Sequence, residues 1–221
     1  MNDCEKNPSE EEIKLTPAQM DSLMELGNIG SGHAITALSQ LMDKRIEMSL
    51  TSVDVIPFWK LPEKFGGEEV EVFGILSSVH GEQELLILQI YPKDSIIKMI
   101  NSLSEEQIIN SEDIKVLSDL DDFSLSIITE VGNILSGHYA NALADLMEIK
   151  LVPEVPDVAY DVLGAIMSSV IAKTSEMVDL MILINTKMDI EDLNLNGIFC
   201  FLPALDTLNK IFTAINLEGY Y

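Results

Sequence analysis

One stretch of this chain is written twice. Placed on itself with an offset of 105, the sequence pairs Glu25–Met42, ELGNIGSGHAITALSQLM, with Glu130–Met147, EVGNILSGHYANALADLM, and eleven of the eighteen positions are identical. Two unrelated amphipathic helices would agree at apolar positions; these also agree at Glu, Asn, Ser, His and two glycines. A weaker echo links YPKDSIIKMI (Tyr91–Ile100) to LPALDTLNKI (Leu202–Ile211). A duplication constrains a fold severely, because whatever one half forms the other must form too. Repeats of this length are half-domains, since solenoid and propeller units recur every ~20–50 residues.

Each half opens on a helix. Thr16-Pro17-Ala18-Gln19 supplies a capping hydroxyl, a proline at the first helical position and a glutamine three residues past the cap. Asp121 holds the same cap position in the second half. The helices are predicted to run to Met42 and Met147. Strand-like runs follow: IEMSLTSVDVIPF, EVEVFGILSSV and ELLILQIY in the first half, IKLVPEVPDVAY, MVDLMILINTKM and GIFCFLP in the second. Short helices are predicted after Pro92 and Pro203. The second half inserts a helix, DVLGAIMSSVIAKTSE from Asp161, where the first has the Pro- and Gly-punctuated WKLPEKFGGEE. Helix, strands and helix, twice over, predict an α+β fold of two pseudo-symmetric half-domains, an antiparallel sheet with long helices packed on it. Residues 1–14 read as a flexible acidic tail, and 15–221 as a single domain made of two repeats, about 15–104 and 117–216.

Composition excludes several classes of function. With 37 acidic and 13 basic residues the net charge is −24, so nucleic-acid backbones and anionic lipid surfaces are poor partners. No apolar run approaches the ~18 residues of a membrane span, and MNDCEKNPSEEEIK has no apolar signal core. Cys4 in the tail and Cys200 in GIFCFLP read as reduced thiols, and the expected location is the cytoplasm.

Each interior glycine costs a helix about 0.8–1 kcal/mol relative to alanine, so the repeated glycines need a reason. At helical spacing, Met20, Met24, Gly27, Ser31, Ala34 and Leu38 share a face expected to meet the core. Asp21, Glu25, Asn28, Gly32 and Ser39 form a second stripe beside it; its counterpart is Ser126, Glu130, Asn133, Gly137 and Ala144. Gly27 and Gly132 then permit close packing inside. Gly32 and Gly137, on the polar stripe, would admit the backbone of another protein. Gly30, replaced by Leu135 in the second half, has no evident purpose. In one copy, Glu25 and Asn28 would pass for ordinary solvated residues; the recurrence of the pair with its glycines argues otherwise.

The stripe narrows the chemistry. Gly27-x-x-Gly30-x-Gly32 lacks the phosphate-loop lysine and spacing, and no strand precedes it. Glu25 and His33 lie eight residues apart, about 12 Å along a helix, and point to different sides, so they cannot share an ion; His33 and His138 read as structural. Neither cysteine, and no serine, stands with a histidine and a carboxylate in a nucleophile motif. What remains is a carboxylate beside a carboxamide. An amide does not titrate near neutral pH, but it can hold a water and fix its direction, the role of the water-positioning glutamine in GTP hydrolysis. Such a residue needs a substrate that brings its own electrophile and metal.

Asp21-x-x-x-Glu25-x-x-Asn28 and Ser126-x-x-x-Glu130-x-x-Asn133 fit the D/S-x3-E-x2-N signature of the CheC/CheX/FliY chemotaxis phosphatases. With its doubled motif, the chain resembles the stand-alone CheC type over nearly its whole length. The resemblance implies hydrolysis of the aspartyl phosphate of the response regulator CheY. It makes Asn28 and Asn133 the residues that orient the attacking water, and Glu25 and Glu130 the partners of the regulator's lysine. Mg²⁺ would be held by the regulator, and the chain would need no cofactor of its own. The resemblance further implies binding of the receptor deamidase CheD, partly through the inserted helix from Asp161. A monomer is expected, because the duplication supplies within one chain the pairing that a dimer otherwise would. Two other classes stay open: a non-catalytic adaptor for CheD or phosphorylated CheY, and a flagellar-switch component. FliY and FliM carry a further switch domain, which this chain is not expected to hold; an adaptor could lose the Glu/Asn pair, and here both copies persist.

Overall fold

The computed structural model describes residues 15–103, 108–173, 180–190 and 193–215. The acidic tail with Cys4, and residues 174–176 of the inserted helix, lie outside them. Helix α1 (Pro17–Met42) leads into β1 (Ile46–Pro57), a helical turn with the short α2 (Leu61–Phe65), the hairpin β2 (Glu71–Gly81) and β3 (Leu85–Pro92), and α3 (Lys93–Leu103). The second half repeats the order: α4 (Asp122–Met147), β4 (Leu151–Pro153), β5 (Asp157–Val162), α5 (Leu163–Lys173), β6 (Leu180–Ile190), β7 (Leu193–Pro203) and α6 (Leu205–Ala214).

Both long helices start and stop by paired devices. The Thr16 hydroxyl accepts from the Gln19 amide while the Gln19 side chain accepts from the Thr16 N–H, and Asp121 accepts from the Ser124 N–H. At the far ends Asp43 and Glu148, again 105 residues apart, turn the chain out through left-handed conformations at φ 50° and 55°. Lys44 N–H then donates to the Ser39 carbonyl and Ile149 N–H to that of Ala144, satisfying carbonyls that the helix end leaves unpaired.

The seven strands form one antiparallel sheet in the order β1-β6-β7-β3-β2-β4, with β5 also pairing β2. The two hairpins, β2–β3 and β6–β7, meet at the centre, where Leu88 lies opposite Cys200 and Gln89 opposite Phe199. The opening strand of each half crosses to the other half's hairpin: β1 pairs β6 from Ile46 opposite Ile190 to Pro57 opposite Leu180, while β4 and β5 pair β2. Pro153 and Pro156 break the second opening strand in two, since proline cannot donate to a ladder; β1 has no such interruption.

Helices α1, α3, α4 and α6 cover one face, over Val53, Phe73, Ile75, Ile87, Ile184, Phe199 and Phe201. On the other face Leu88, Ile90, Met181, Leu183 and Cys200 lie beneath α5, Phe58 and Leu61. Strands buried on both sides read as unbroken apolar runs, as in LLILQIY and IFCFL. Burial raises the Cys200 thiol well above its usual range, which makes it a core residue rather than a nucleophile.

Two expectations are corrected here. On α1, Gly27, Ser31, Ala34 and Leu38 are buried as expected and Met20 and Met24 pack half-buried against the core, but the buried face also takes in Gln19, Leu23, Leu26, Gly30 and Met42. The buried face extends away from the polar stripe because α1 packs on α4 as well as on the sheet. Asp161 is not helical: it pairs with Val72 in β5, and the inserted helix begins at Leu163. Pairing with β2 outweighs the helical pattern of these two residues.

Candidate functional site

Why do α1 and α4 tolerate their glycines? A Cβ at Gly27 would stand 2.2 Å from Leu50 Cδ2 on β1, and one at Gly132 would stand 2.5 Å from Ile75 Cγ2 on β2. Both glycines therefore let a helix sink onto the strand below. Gly30 has a purpose the sequence did not reveal: a Cβ there would meet the Tyr139 ring at 2.7 Å. It is the place where α4 presses into α1. The outer glycines behave differently, because a Cβ at Gly32 or Gly137 would have nothing within 4 Å.

The polar stripe faces outward on both helices. Asp21, Glu25, Asn28 and Gly32 are exposed, as are Ser126 and Glu130, while Asn133 and Gly137 are half-buried. Glutamate and asparagine three residues apart are neighbours on a helix surface. Among the described residues, the side chains of Glu25, Asn28, Glu130 and Asn133 have no hydrogen-bond or ion-pair partner. His33 and His138 meet edge-on across the two helices with ring centroids 6.1 Å apart. Partial burial, and then the neighbouring His33, lowers the His138 pKa, so His138 favours its neutral form. No group of three or more potential metal ligands occurs among the described residues.

The undersides of the two sites differ. Beneath α4, Gln89 is fully buried in β3. Its Nε2 donates to the Gly132 carbonyl at 2.8 Å and to the Ser136 hydroxyl at 2.8 Å, while its Oε1 accepts from the Tyr91 hydroxyl at 3.1 Å. The Ser77 hydroxyl on β2 donates to Ser136 at 2.7 Å. Beneath α1 the corresponding turn rests on Leu50 and Ile184, and Ser31 bonds only within its own helix, to the Asn28 carbonyl at 3.1 Å. The sequence reading missed Gln89. A signal was present: a lone amide inside LLILQIY has to be paired if that strand is buried.

A curated protein of Bacillus subtilis (strain 168), the CheY-P phosphatase CheC, is 33% identical over 199 residues, covering 89% of this chain and 93% of its own length. This chain belongs to the CheC-like family. The model of that family matches residues 19–49 and 123–160, which hold both copies of the repeated helix. Among solved structures, this CheC-like fold is shared with FliY of Thermotoga maritima, at a TM-score of 0.70 and 19% identity, covering 94% of this chain and all of that one. The middle domain of FliM from H. pylori superposes with a TM-score of 0.61 at 10% identity, covering 90% and 99% of the two chains. At such identities the likeness is one of fold. No helix among the described residues is long and apolar enough to cross a membrane.

Proposed function

We propose that the chain removes the phosphoryl group from the aspartyl phosphate of a CheY-type response regulator in the cytoplasm, acting as a monomer with two sites. The observation that carries this is the accessible pairing of Glu25 with Asn28, and of Glu130 with Asn133, on two helical ridges that a partner can reach. The B. subtilis relative, named as a CheY-P phosphatase, supports the same substrate. Asn28 and Asn133 would hold a water by hydrogen bonds to the side-chain amide and aim its oxygen in line at phosphorus. The new oxygen–phosphorus bond forms as the acyl oxygen–phosphorus bond breaks, and the regulator's aspartate leaves as a carboxylate. Because an amide is a poor base, orientation supplies the effect. Glu25 and Glu130 would anchor each helix through a charge-assisted bond to the regulator's lysine. Asp21 and Ser126 complete the motif one turn earlier, and Gly32 and Gly137 leave room for the regulator's backbone. Mg²⁺ would come with the regulator.

Release of inorganic phosphate from phosphorylated CheY tests the proposal. Asn28→Ala and Asn133→Ala should each remove part of the turnover, and the double variant should lose about 10²-fold or more. Full hydrolysis by a folded double variant would overturn the role of the two asparagines, and no hydrolysis by the wild type would leave the adaptor reading. CheD is proposed as a second partner at Asp161 and α5, whose Ser168, Ser169 and Ile171 are exposed. Ile171→Asp should abolish co-elution with CheD; unchanged co-elution would place CheD elsewhere.

A further inference from the structure

We propose that Gln89 is a positioning residue for the second site alone, so that the two phosphatase sites are unequal in how firmly they are held; the inference rests on the phosphatase reading above. Asn133 directly follows Gly132, whose carbonyl accepts from Gln89 Nε2, and the same Nε2 bonds Ser136 one turn on. The amide orientation is dictated by its partners: the Gly132 carbonyl can only accept, so the nitrogen must face it, which leaves the oxygen for the Tyr91 hydroxyl. Both donors and one acceptor position of Gln89 are thereby used. Ser77 holds Ser136 from β2, so the turn 132–136 is tied to two strands of the sheet. These bonds fix how far α4 is rotated about its own axis and how deep it lies. That sets where Asn133 projects on the adjoining, half-buried flank of the helix.

Among the described residues the first site has no such tie. Its turn sits on Leu50 and Ile184 through Gly27, and Ser31 turns back to its own helix. Apolar packing sets depth but resists rotation weakly, because it is not directional. Since an error of about 1 Å in aiming a reactant can cost about 10²-fold, loosening the tie should show in turnover, and only where the tie exists.

The test introduces Gln89→Met, of similar length and without a donor, into two backgrounds: Asn28→Ala, which leaves the second site, and Asn133→Ala, which leaves the first. Steady-state hydrolysis of phosphorylated CheY should show kcat of the second-site enzyme falling about 5- to 50-fold with KM little changed. The first-site enzyme should stay within about twofold, which also reports that the variant is folded. Ser136→Ala, a smaller perturbation of the same tie, should repeat the pattern more weakly. Equal losses in both backgrounds, or none in either, would overturn the inference and leave the phosphatase reading intact. A fully active Asn28→Ala, Asn133→Ala double variant would overturn both.

Discussion

Gly132 and Gly137 sit on the same helix, and substituting each by alanine should move stability in opposite directions. Either change gains about 0.8–1 kcal/mol of helix propensity. At Gly137 nothing opposes the gain, because the new Cβ meets nothing within 4 Å. At Gly132 the new Cβ would lie 2.5 Å from Ile75 Cγ2. That methyl hangs directly on the Cβ of a fully buried, β-branched residue, so it cannot swing aside without a change of χ1. Overpacking of this kind costs about 1–3 kcal/mol, and Gly132 is also where Gln89 ties the helix down. The expected balance is a loss of up to about 2 kcal/mol for Gly132→Ala and a gain of about 0.8–1 for Gly137→Ala. For a chain of this size 1 kcal/mol corresponds to about 2–4 °C in Tm. Thermal unfolding followed by circular dichroism should therefore show Tm falling by up to about 8 °C in the first and rising by about 2–4 °C in the second. Two rises would refute the close approach of α4 to β2; a fall for Gly137→Ala would refute its open surroundings.

Tyr139 is buried against Phe199, at 4.5 Å between ring centroids, yet its hydroxyl has no hydrogen-bond partner among the described residues. Tyr139→Phe keeps the ring over Gly30 and removes an unpaired polar group, so the urea midpoint should rise by the equivalent of about 1 kcal/mol; a clear fall would show the hydroxyl to be bonded. The Asp121 cap brings a pH dependence. Its bonds from Ser124 lower its pKa below the ordinary 3.8, so its stabilisation is complete above 3.8 and is lost as pH falls through the lower folded value. Asp121→Asn keeps a capping oxygen without the titration. The Tm difference between wild type and variant should shrink on acidification from about pH 6 to about pH 2, and a constant difference would remove the carboxylate from the account.

Signals local to one segment were legible. Thr16, Pro17 and Gln19 announced the first helix and Asp121 the second, and alternating or continuous apolar runs placed the strands. The exposed ridge of Glu25, Asn28 and Glu130 also followed from helical spacing, because angle about an axis depends on sequence separation alone. Contacts between segments were not legible. Gly30 waits for Tyr139, more than a hundred residues away, and Leu26 is buried on the side of α1 nearer α4, which no periodicity in α1 reveals. Asp161 carried a helical pattern and was taken by an edge of β2. Gln89 lies in a strand whose apolar pattern was plain, but its partners come from α4 and β2. The left-handed exits at Asp43 and Glu148 were hidden for another reason: neither residue type announces that conformation as glycine does.

The crossing of β1 onto β6, and of β4 and β5 onto β2, has a consequence for ancestry. A forebear with only one copy of the duplicated unit would have owned a hairpin and a leading strand with no local place to dock. It could complete this sheet only by trading that strand with a sister molecule. Carrying both copies in one polypeptide makes that exchange intramolecular and so free of dilution. The fused copies could then diverge in chemistry while each still depended on the other to close its edge.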